Sequence, residues 1–529
     1  MPKVIVIGAG SGGVATAARL AKQGFDVTVV ENNDLIGGRY SLIHHNGYRF
    51  DQGPSLLLMP EVFHETFHDL GTSLEAEGIS LLKCEPNYRV WFSDNDNFDL
   101  TTDITRLKPQ IEHHEGENSF RGFLGFMEES GRHYDLSMIH ILRRNFPGLL
   151  SMMRLGLLQS LFTMHPFQSI HSRVSRYFTS DKMRRIFTFG CMYVGMSPYD
   201  APGTYSLLQY AELAGGFGMP PEDFKRLILE GIEKIGKRLG VEYRLHSPVS
   251  SIIISEDQSA RGVILSSGEK LEADLVVVNA DLVYAYNNLL PASKEARRLS
   301  NREASCSSIS FFWSFDRVIS ELKVHNIFLA EEYKNSFDSI FKDHQLPDEP
   351  SFYVNVPSRI DPTAAPKGKD AVVVLVPTGH IMDSTEPQDW DTLVSKARDT
   401  VFDTIETRTG ARALRESLIH EYVTPASWKE KFNLDRGSIL GLSHSFFNML
   451  SLRPKSKHSS IKGLYFVGAS THPGTGVPVC LAGSKLVSDQ IMEDCGGKPK
   501  GGIFRIASID TLRSSVFSLN DKHNFLFKV

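Results

Sequence analysis

The chain has little of several features that would place it in a simple class. Only 5 of its 529 residues are cysteines, and they form no Cys-x-x-Cys pair, which indicates reduced thiols in a reducing compartment rather than a disulfide framework. The N-terminus lacks a signal-peptide pattern, and no run of about 18 apolar residues occurs, so we expect an intracellular protein without a spanning helix. Lys and Arg number 57 against 62 Asp and Glu, so we expect no nucleic-acid partner.

Motifs for hydrolysis and metal catalysis are missing as well. The sequence has no HExxH segment, no Ser-His-Asp order and no paired-carboxylate signature, so we expect no metal site. The hydrophobic fraction of 41% and the charged fraction of 22% are typical of soluble globular proteins. At about 150 residues per domain, the length allows two to four structural units.

The first clear motif is a glycine-rich turn at the N-terminus. Gly8, Gly10 and Gly13 form a G-x-G-x-x-G pattern between a strand over 3–7 and a helix over 14–23. A second strand over 26–30 ends at Glu31, whose carboxylate can accept the ribose hydroxyls of an adenosine and would repel a 2′-phosphate. This βαβ unit favours FAD or NAD over NADP.

A second glycine pair follows where an NAD dehydrogenase would continue into its next strand. Gly37 and Gly38 offer another close approach of the backbone, and Arg39 is placed to meet a phosphate or the flavin edge. The alternative for Arg39 is a surface salt bridge. The pattern indicates a cofactor that extends across a longer site.

A third glycine-rich turn lies near the C-terminus, after a short apolar strand. It contains Gly468, Gly474 and Gly476, and a helix leaves it at Val477 and Pro478, since proline suits a first helical turn. The free N–H groups of such a helix end favour the negative charge of a reduced flavin or of its phosphates. We therefore expect this distant segment to complete the N-terminal site.

These blocks, together with the segment 193–202, resemble the FAD-dependent phytoene desaturases of the bacterial and fungal type, a branch of the amine-oxidase-like flavoproteins. The resemblance covers residues 4 to about 492. It implies a non-covalent FAD and a reaction of carotenoid biosynthesis, in which an isoprenoid polyene loses a hydride to flavin N5 and a proton from the neighbouring carbon. It also implies a protein at a membrane surface or in the cytoplasm, with oxygen or a quinone as electron acceptor; the oligomeric state is left open.

Carried over by residue, the resemblance assigns contacts to each part of the cofactor. Gly8, Gly10, Gly13 and Glu31 would hold the ADP half, and Val249 would contact adenine through its backbone. Gly37, Gly38 and Arg39 would lie along the pyrophosphate and flavin. The ribityl chain and the ring system would lie beside Gly468, Gly474, Gly476, Val477 and Pro478.

The predicted fold class is α/β, with a Rossmann-like FAD-binding domain built from discontinuous segments and a substrate domain of mixed sheet and helices. The expected domain boundaries are 1–110, 225–295 and 410–497 for the FAD-binding domain, 111–224 for a helical lid, 296–409 for a substrate-domain sheet, and 498–529 for a tail.

Polar candidates for the chemistry are few. His472 precedes Pro473 in the C-terminal turn and is placed to relay a proton, with a hydrogen bond that shapes the turn as the alternative. Arg39 is the second candidate. Asp200 is a third, and its alternative is to brace a loop.

One departure from the family pattern bears on the substrate. Where the family usually carries two glycines after an aromatic-Pro-x segment, this chain has Glu222 and Asp223. These acids either place negative charge near the flavin or only favour the start of the next helix. Two alternatives to phytoene desaturation therefore stay open: an FAD oxidoreductase or amine oxidase for another lipophilic metabolite, and a non-catalytic flavoprotein.

The segment 148–162 is the most apolar stretch of the chain, and it reads as about four turns of helix. Arg143, Arg144 and Arg154 lie in or beside it. It predicts either a peripheral contact with a membrane surface or a buried helix of the substrate domain.

Overall fold

The computed structural model describes residues 1–53, 57–215, 218–219, 224–382, 388–416 and 419–497. In chain order the strands are β1 (Lys3–Ile7), β2 (Asp26–Val30), β3 (Leu42–His45), β4 (Tyr48–Asp51), β5 (Leu82–Lys83), β6 (Tyr88–Trp91), β7 (Asn97–Leu100), β8 (Gly218–Met219), β9 (Glu242–Arg244), β10 (Val249–Ile254), β11 (Ala260–Leu265), β12 (Lys270–Glu272), β13 (Leu275–Val278), β14 (Ser307–Phe315), β15 (His325–Phe328), β16 (Phe352–Asn355), β17 (Asp370–Thr378), β18 (Ile419–Val423) and β19 (Leu464–Phe466).

The α-helices are α1 (Ser11–Lys22), α2 (Pro60–Asp69), α3 (Ile104–Glu115), α4 (Phe120–Ser137), α5 (Leu155–Met164), α6 (Ile170–Val174), α7 (Asp181–Ile186), α8 (Leu207–Gly215), α9 (Phe224–Arg238), α10 (Leu282–Tyr284), α11 (Lys294–Ser300), α12 (Tyr333–Phe341), α13 (Trp390–Thr409), α14 (Pro425–Phe432) and α15 (Val477–Asp494).

A five-stranded parallel sheet joins segments that are far apart in the chain. Its strand order is β19-β13-β1-β2-β9, with β1 at the centre. The central strands are runs of valine and isoleucine that are buried on both faces, as parallel strands covered by helices require. The carboxyl ends of β1, β13 and β19 therefore meet at one edge, which is where ligands bind in open parallel sheets.

A seven-stranded mixed sheet is the second layer, in the order β18-β14-β17-β16-β15-β6-β7. Strand β14 is buried along its whole length between β17 and β18, and α13 packs on it through Val394, Val401 and Phe402. The sheet also includes β6, β7 and β18, so it draws on residues outside 296–409.

Helices α3 to α8 cover the segment between the strands β7 and β8. Their apolar side chains pack with β6 and β15 in one core cluster that is rich in phenylalanine. The mixed α/β architecture matches the predicted class.

The helix expected over 148–162 is interrupted. Leu149–Met153 form a 3-10 turn, Arg154 is extended with φ −60° and ψ 125°, and α5 starts only at Leu155. Gly156 lets α5 lie close to the preceding segment, because a Cβ there would be 2.8 Å from the His140 ring. Among the described residues, no helix is both long enough and apolar enough to cross a bilayer.

By its internal contacts the chain divides into two units, Met1–Ser488 and Asp489–Val529. The first contains both large sheets. Of the second, the structure describes the last turns of α15 and a turn at Gly496, whose φ is +75°.

Candidate functional site

A cavity of about 890 Å³ lies at the carboxyl edge of the parallel sheet. The wall nearest the sheet is made of glycines, and apolar side chains from α2, α4, α5 and the seven-stranded sheet line the rest. It brings together the three glycine-rich turns, which are far apart in sequence. The cavity-lining residues include Gly8, Gly10, Glu31, Gly37, Gly38, Arg39, Val249, Gly468, Gly474, Gly476, Val477 and Pro478.

The first turn connects β1 to α1. Gly8 has a φ of +95°, and its N–H donates to the Val30 carbonyl at 2.8 Å. Gly13 does not line the cavity but lets α1 pack on the turn, because a Cβ there would lie 2.1 Å from the Gly8 oxygen. Helix α1 starts after Gly10 without a side-chain cap, so its first N–H groups can bind an anion.

Glu31 lies at the end of β2, buried in the cavity wall. Its Oε2 accepts the Ala9 N–H at 2.7 Å, and its Oε1 accepts the N–H and the side-chain amide of Asn33 at 2.9 and 2.8 Å. These bonds orient the carboxylate. Oε2 keeps a lone pair for a ribose hydroxyl, whereas Oε1 already accepts two hydrogen bonds from Asn33.

The second turn is linked to the first through its backbone. Gly37 donates its N–H to the Ala9 carbonyl at 2.8 Å, and both Gly37 and Gly38 have positive φ. Arg39 reaches the other side of the cavity, where it donates to the Ile439 carbonyl. Burial lowers the pKa of Arg39, against the opposing charges of Cys480 and Asp281. Arg39 therefore does not form a surface salt bridge, which was the alternative expectation.

The third turn is held by one buried guanidinium. Arg453 donates to the carbonyls of Thr471, Asn448 and Ala469 at 3.0, 2.8 and 2.5 Å, and to that of Ser443 at 3.1 Å. Burial lowers its pKa to about 10. Nothing in the sequence around Arg453 marked it as a support of this turn.

His472 is turned away from the cavity and is not among its lining residues. Its Nε2 donates to the Arg144 carbonyl at 2.7 Å, and its ring packs against Phe146 with centroids 5.0 Å apart. Burial lowers its pKa to about 4, so the ring is neutral at physiological pH. These contacts favour the alternative interpretation, a hydrogen bond that shapes the turn, over proton relay.

The other candidates lie as follows. Val249 starts β10 opposite Leu265 and lines the cavity. Asp200 is exposed, and its amide donates to the Ser197 carbonyl at 3.1 Å, as a loop-bracing residue would. Glu222 and Asp223 lie outside the described residues.

Besides Arg453, two residues of the site were missed from the sequence. Asn279 follows β13, and its side-chain amide donates to the Val467 carbonyl at 2.9 Å, which ties the end of β13 to the residue after β19. A Cβ on Gly10 would lie 2.8 Å from its Oδ1. Asp281 also lines the cavity, and burial raises its pKa to about 6. Polar residues directly after a buried strand were the available signal.

The site suits FAD on structural grounds. Glycines and two helix starts surround one end of the cavity, an oriented carboxylate lies at β2, and an apolar chamber continues beyond Arg39. This donor set matches a long dinucleotide whose negative charge faces N–H groups.

Comparison with known proteins identifies the family. A model described as flavin containing amine oxidoreductase matches residues 11–492. A phytoene desaturase from Fusarium fujikuroi is 56% identical over 538 aligned residues, covering 95% of this chain and 94% of that protein. This chain belongs to the phytoene desaturase family.

A more distant relative agrees with this assignment, and a solved structure agrees with the fold. A zeta-carotene-forming phytoene desaturase from Myxococcus xanthus is 38% identical, with coverage of 93% of this chain and 94% of that protein. The crystal structure of an oxidoreductase from Methanosarcina mazei superposes with a TM-score of 0.60 at 18% identity, over 93% of this chain and 100% of that one, and supports the fold alone. Membership in the desaturase family confirms the predicted flavoprotein fold, FAD as cofactor and an oxidoreductase activity.

Proposed function

We propose that this chain is an FAD-dependent desaturase that introduces C=C bonds into phytoene or a closely related isoprenoid polyene. The supporting observation is that the glycine-lined end of the cavity opens into an apolar chamber. Six methionines are among the lining residues: Met59, Met138, Met152, Met164, Met192 and Met449. Flexible thioether side chains adapt to a long, curved hydrocarbon.

The residues that we propose to hold FAD are the cavity-lining ones. Glu31 and Val249 lie at one end, where adenosine would bind, and the starts of α1 and α15 lie where phosphates and the flavin would bind. Gly13 contributes by packing only. We also propose the domain division given above, except that β6, β7 and β18 belong to the mixed sheet of the substrate domain, since the parallel sheet is assembled from segments on both sides of β14 to β18 in sequence.

Bound FAD supplies the two-electron oxidation that converts a C–C bond to C=C. The chain itself excludes water and positions the polyene at reacting distance in the apolar chamber. Arg39 is held by the Ile439 carbonyl, so its charge stays at the boundary between the glycine-lined end and the chamber.

The test is a substrate panel with flavin-loaded protein in liposomes under anaerobic conditions. Phytoene is expected to bleach the flavin and to give a product with a longer conjugated system, whereas an aliphatic amine is expected to do neither. Bleaching by the amine alone would favour the amine oxidase alternative. Admitting oxygen, or a quinone in its absence, then tests which acceptor restores the oxidised spectrum.

We further propose that the protein contacts a membrane through an apolar patch beside the cavity. The segment 149–153, α5 and a turn at 446–448 expose large apolar side chains there, and Phe167 packs on Phe446 with centroids 4.9 Å apart. The most exposed are Leu149, Leu150, Met153, Leu155, Phe162, Phe167 and Phe447.

Helix α5 links this patch to the cavity. Leu157 and Met164 are buried and line the cavity, whereas Phe162, on the other side of the same helix, is 86% exposed. A helix that is apolar on both sides fits a lipid surface outside and a hydrocarbon substrate inside. Arg154 lies over the Phe146 ring beside the patch and can meet anionic headgroups.

Flotation with anionic liposomes tests this proposal. Leu150→Glu and Phe162→Glu are expected to reduce liposome binding, and Val318→Glu, a change at an exposed apolar residue between β14 and β15, is the matched control. Leu157 is unsuitable because it is 1% exposed. Unchanged flotation of both patch variants would show that this patch does not bind the membrane.

A further inference from the structure

A cluster of polar side chains lies behind one wall of the cavity, inside a core that is otherwise apolar. It is made by β6, the 3-10 turn Phe189–Val194, α8, β15 and β16. Two of its members, Tyr193 and Tyr353, line the cavity. The cluster consists of Asn87, Tyr88, Tyr193, Gln209, Glu212, His325, Tyr353 and Asn355.

Glu212 is the carboxyl group at the centre of this cluster. Its side chain is completely buried, and its Oε2 accepts the Tyr88 hydroxyl at 2.5 Å. The side-chain amide of Asn87 donates to the Glu212 backbone carbonyl at 2.7 Å. On the sheet side, the Tyr353 hydroxyl lies 2.7 Å from His325 Nδ1. The cluster is thus bonded together from both layers of the structure.

Several buried polar atoms of the cluster have no hydrogen-bond partner among the described residues. They are Glu212 Oε1, Asn87 Oδ1, Asn355 Oδ1 and both side-chain polar atoms of Gln209. The Tyr193 phenol is in side-chain hydrogen-bonding contact with Glu212 and Tyr88. An unsatisfied buried polar group costs about 1–3 kcal/mol, so such a concentration is typical of a site that holds water or a transferable proton. The cluster contacts the cavity through Tyr193 and Tyr353.

The groups around Glu212 determine its protonation. Burial raises its pKa to about 8, against the opposing effect of the Tyr88 and Tyr193 phenols. Burial, and next the charge of Glu212, raise the pKa of Tyr193 far above its usual value. A proton acceptor with a pKa near the working pH is the most effective one.

Further titratable groups lie on the packed elements, and one of them, Glu129 of α4, is ion-paired with Arg173. Helix α4, which packs on α8, presents His133, whose pKa burial lowers to about 4 and whose nitrogens meet Ser206 and Thr163. The turn that carries Tyr193 also carries Cys191, and burial raises the pKa of that thiol. The sheet side presents Tyr353 and His325.

On the basis of the desaturase function proposed above, we propose that Tyr193 and Glu212 take up the proton that the substrate loses. As the substrate C–H bond breaks, its electron pair forms the new C=C bond and its proton passes to Tyr193 Oη. The phenol's own proton moves on to the carboxylate of Glu212, so Tyr193 ends unchanged. The hydride from the neighbouring carbon leaves for the flavin, which balances the electrons.

A second pair of tyrosine and carboxyl groups adjoins the cavity and serves as the comparator. Tyr134 lines the cavity and already donates its hydroxyl to Glu61, whose pKa burial raises to about 7. The positive charge of Arg143 acts on that carboxyl as well. Both carboxyl groups therefore have a phenol as donor, but Arg143 acts on Glu61, whereas the pKa of Glu212 is shifted only by burial and by the Tyr88 and Tyr193 phenols.

The experiment uses flavin-loaded wild type, Glu212→Gln, Tyr193→Phe and Glu61→Gln. Tyr333→Phe is the control, because Tyr333 is a buried tyrosine outside the cavity lining whose hydroxyl meets Thr188. The rate of flavin bleaching by phytoene is measured against pH. The midpoint of urea unfolding is measured over the same range, without substrate.

For wild type and Tyr333→Phe, we expect the bleaching rate to rise with pH through about 8, where Glu212 loses its proton. In Glu212→Gln and Tyr193→Phe the bleaching rate should be lower by about 100-fold or more, and it should no longer rise with pH. The folded-state pKa of Glu212 lies above its unfolded value, so its stabilising contribution is lost as pH rises from about 4.5 to 8. Glu212→Gln should remove that part of the stability profile.

The outcomes are distinguishable. If wild type is not bleached by phytoene, the desaturase function fails, and this proposal fails with it. If wild type is bleached but Glu212→Gln keeps its rate and pH profile, only the proton uptake by this pair is overturned. If only Glu61→Gln loses the rise of bleaching rate with pH, the proton is taken up by Tyr134 and Glu61 instead.

Discussion

Gly13→Ala tests how the first turn is built. The added Cβ would lie 2.1 Å from the Gly8 carbonyl oxygen, about 1 Å inside an ordinary contact, and 3.0 Å from Asn279 Oδ1. The nearer neighbour is backbone at the end of β1, so no side chain can rotate away. Overpacking of this kind costs about 1–3 kcal/mol. If the first turn shifts to relieve this overpacking, its cost appears as a loss of FAD affinity. Since 1.4 kcal/mol is a tenfold change in affinity, FAD should then bind about 5- to 150-fold more weakly.

The measurements are the dissociation constant for FAD, from flavin fluorescence, and the free energy of unfolding of the FAD-free protein. Gly148→Ala is the matched control, because a Cβ at Gly148 meets nothing within 4 Å and its φ is −168°. The control should keep both values within about 0.5 kcal/mol. Gly13→Ala with wild-type stability and wild-type FAD affinity would refute the packing argument.

Two further predictions concern α5 and the third turn. Leu157→Ala should lower the free energy of unfolding by about 2–5 kcal/mol, because Leu157 is 1% exposed. Leu155→Ala should change it by less than about 0.5 kcal/mol, because Leu155 is 71% exposed. Equal losses in urea unfolding would contradict the assigned orientation of α5. The pKa of His472 is lowered to about 4, so its contribution to stability is present above about 6.5 and is lost as pH falls toward 4. His472→Gln should flatten this part of the unfolding profile and leave the pH dependence of flavin bleaching unchanged; a lost bleaching limb would restore the proton-relay role.

Local patterns were sufficient to predict the first βαβ unit. Alternation of apolar runs with glycines predicts a strand, a turn and a helix, and β1 and β2 have the expected bounds, while α1 begins at Ser11 rather than at residue 14. The glycine at position 8 is explained by its own backbone, because Gly8 has a positive φ. Features that depend only on neighbouring residues in the chain can be predicted from the sequence without knowing the fold.

Long-range pairing was not predictable in the same way. Strand β6 pairs in parallel with β15, more than two hundred residues later, and β18 joins the same sheet. Nothing within these short strands specifies such a partner, because a parallel pairing depends on packing from the whole domain. The supports of the site, Asn279 and Arg453, were missed for the same reason.

The orientation of a side chain also needs the fold. The sequence places His472 in the turn next to the cavity, but its ring points to Arg144, in a segment more than three hundred residues earlier. In the segment 148–162, the backbone at Arg154 is extended, which turns a predicted single helix into two elements with different exposure. Neither outcome follows from apolar periodicity.

The most direct test of the proposed function is the absorption spectrum of flavin-loaded protein in liposomes after anaerobic mixing with phytoene. We predict loss of the oxidised flavin bands, together with new absorption at longer wavelength from a polyene with added double bonds. An unchanged flavin spectrum with no new polyene absorption, from protein that binds FAD and liposomes, would contradict the proposed desaturase function.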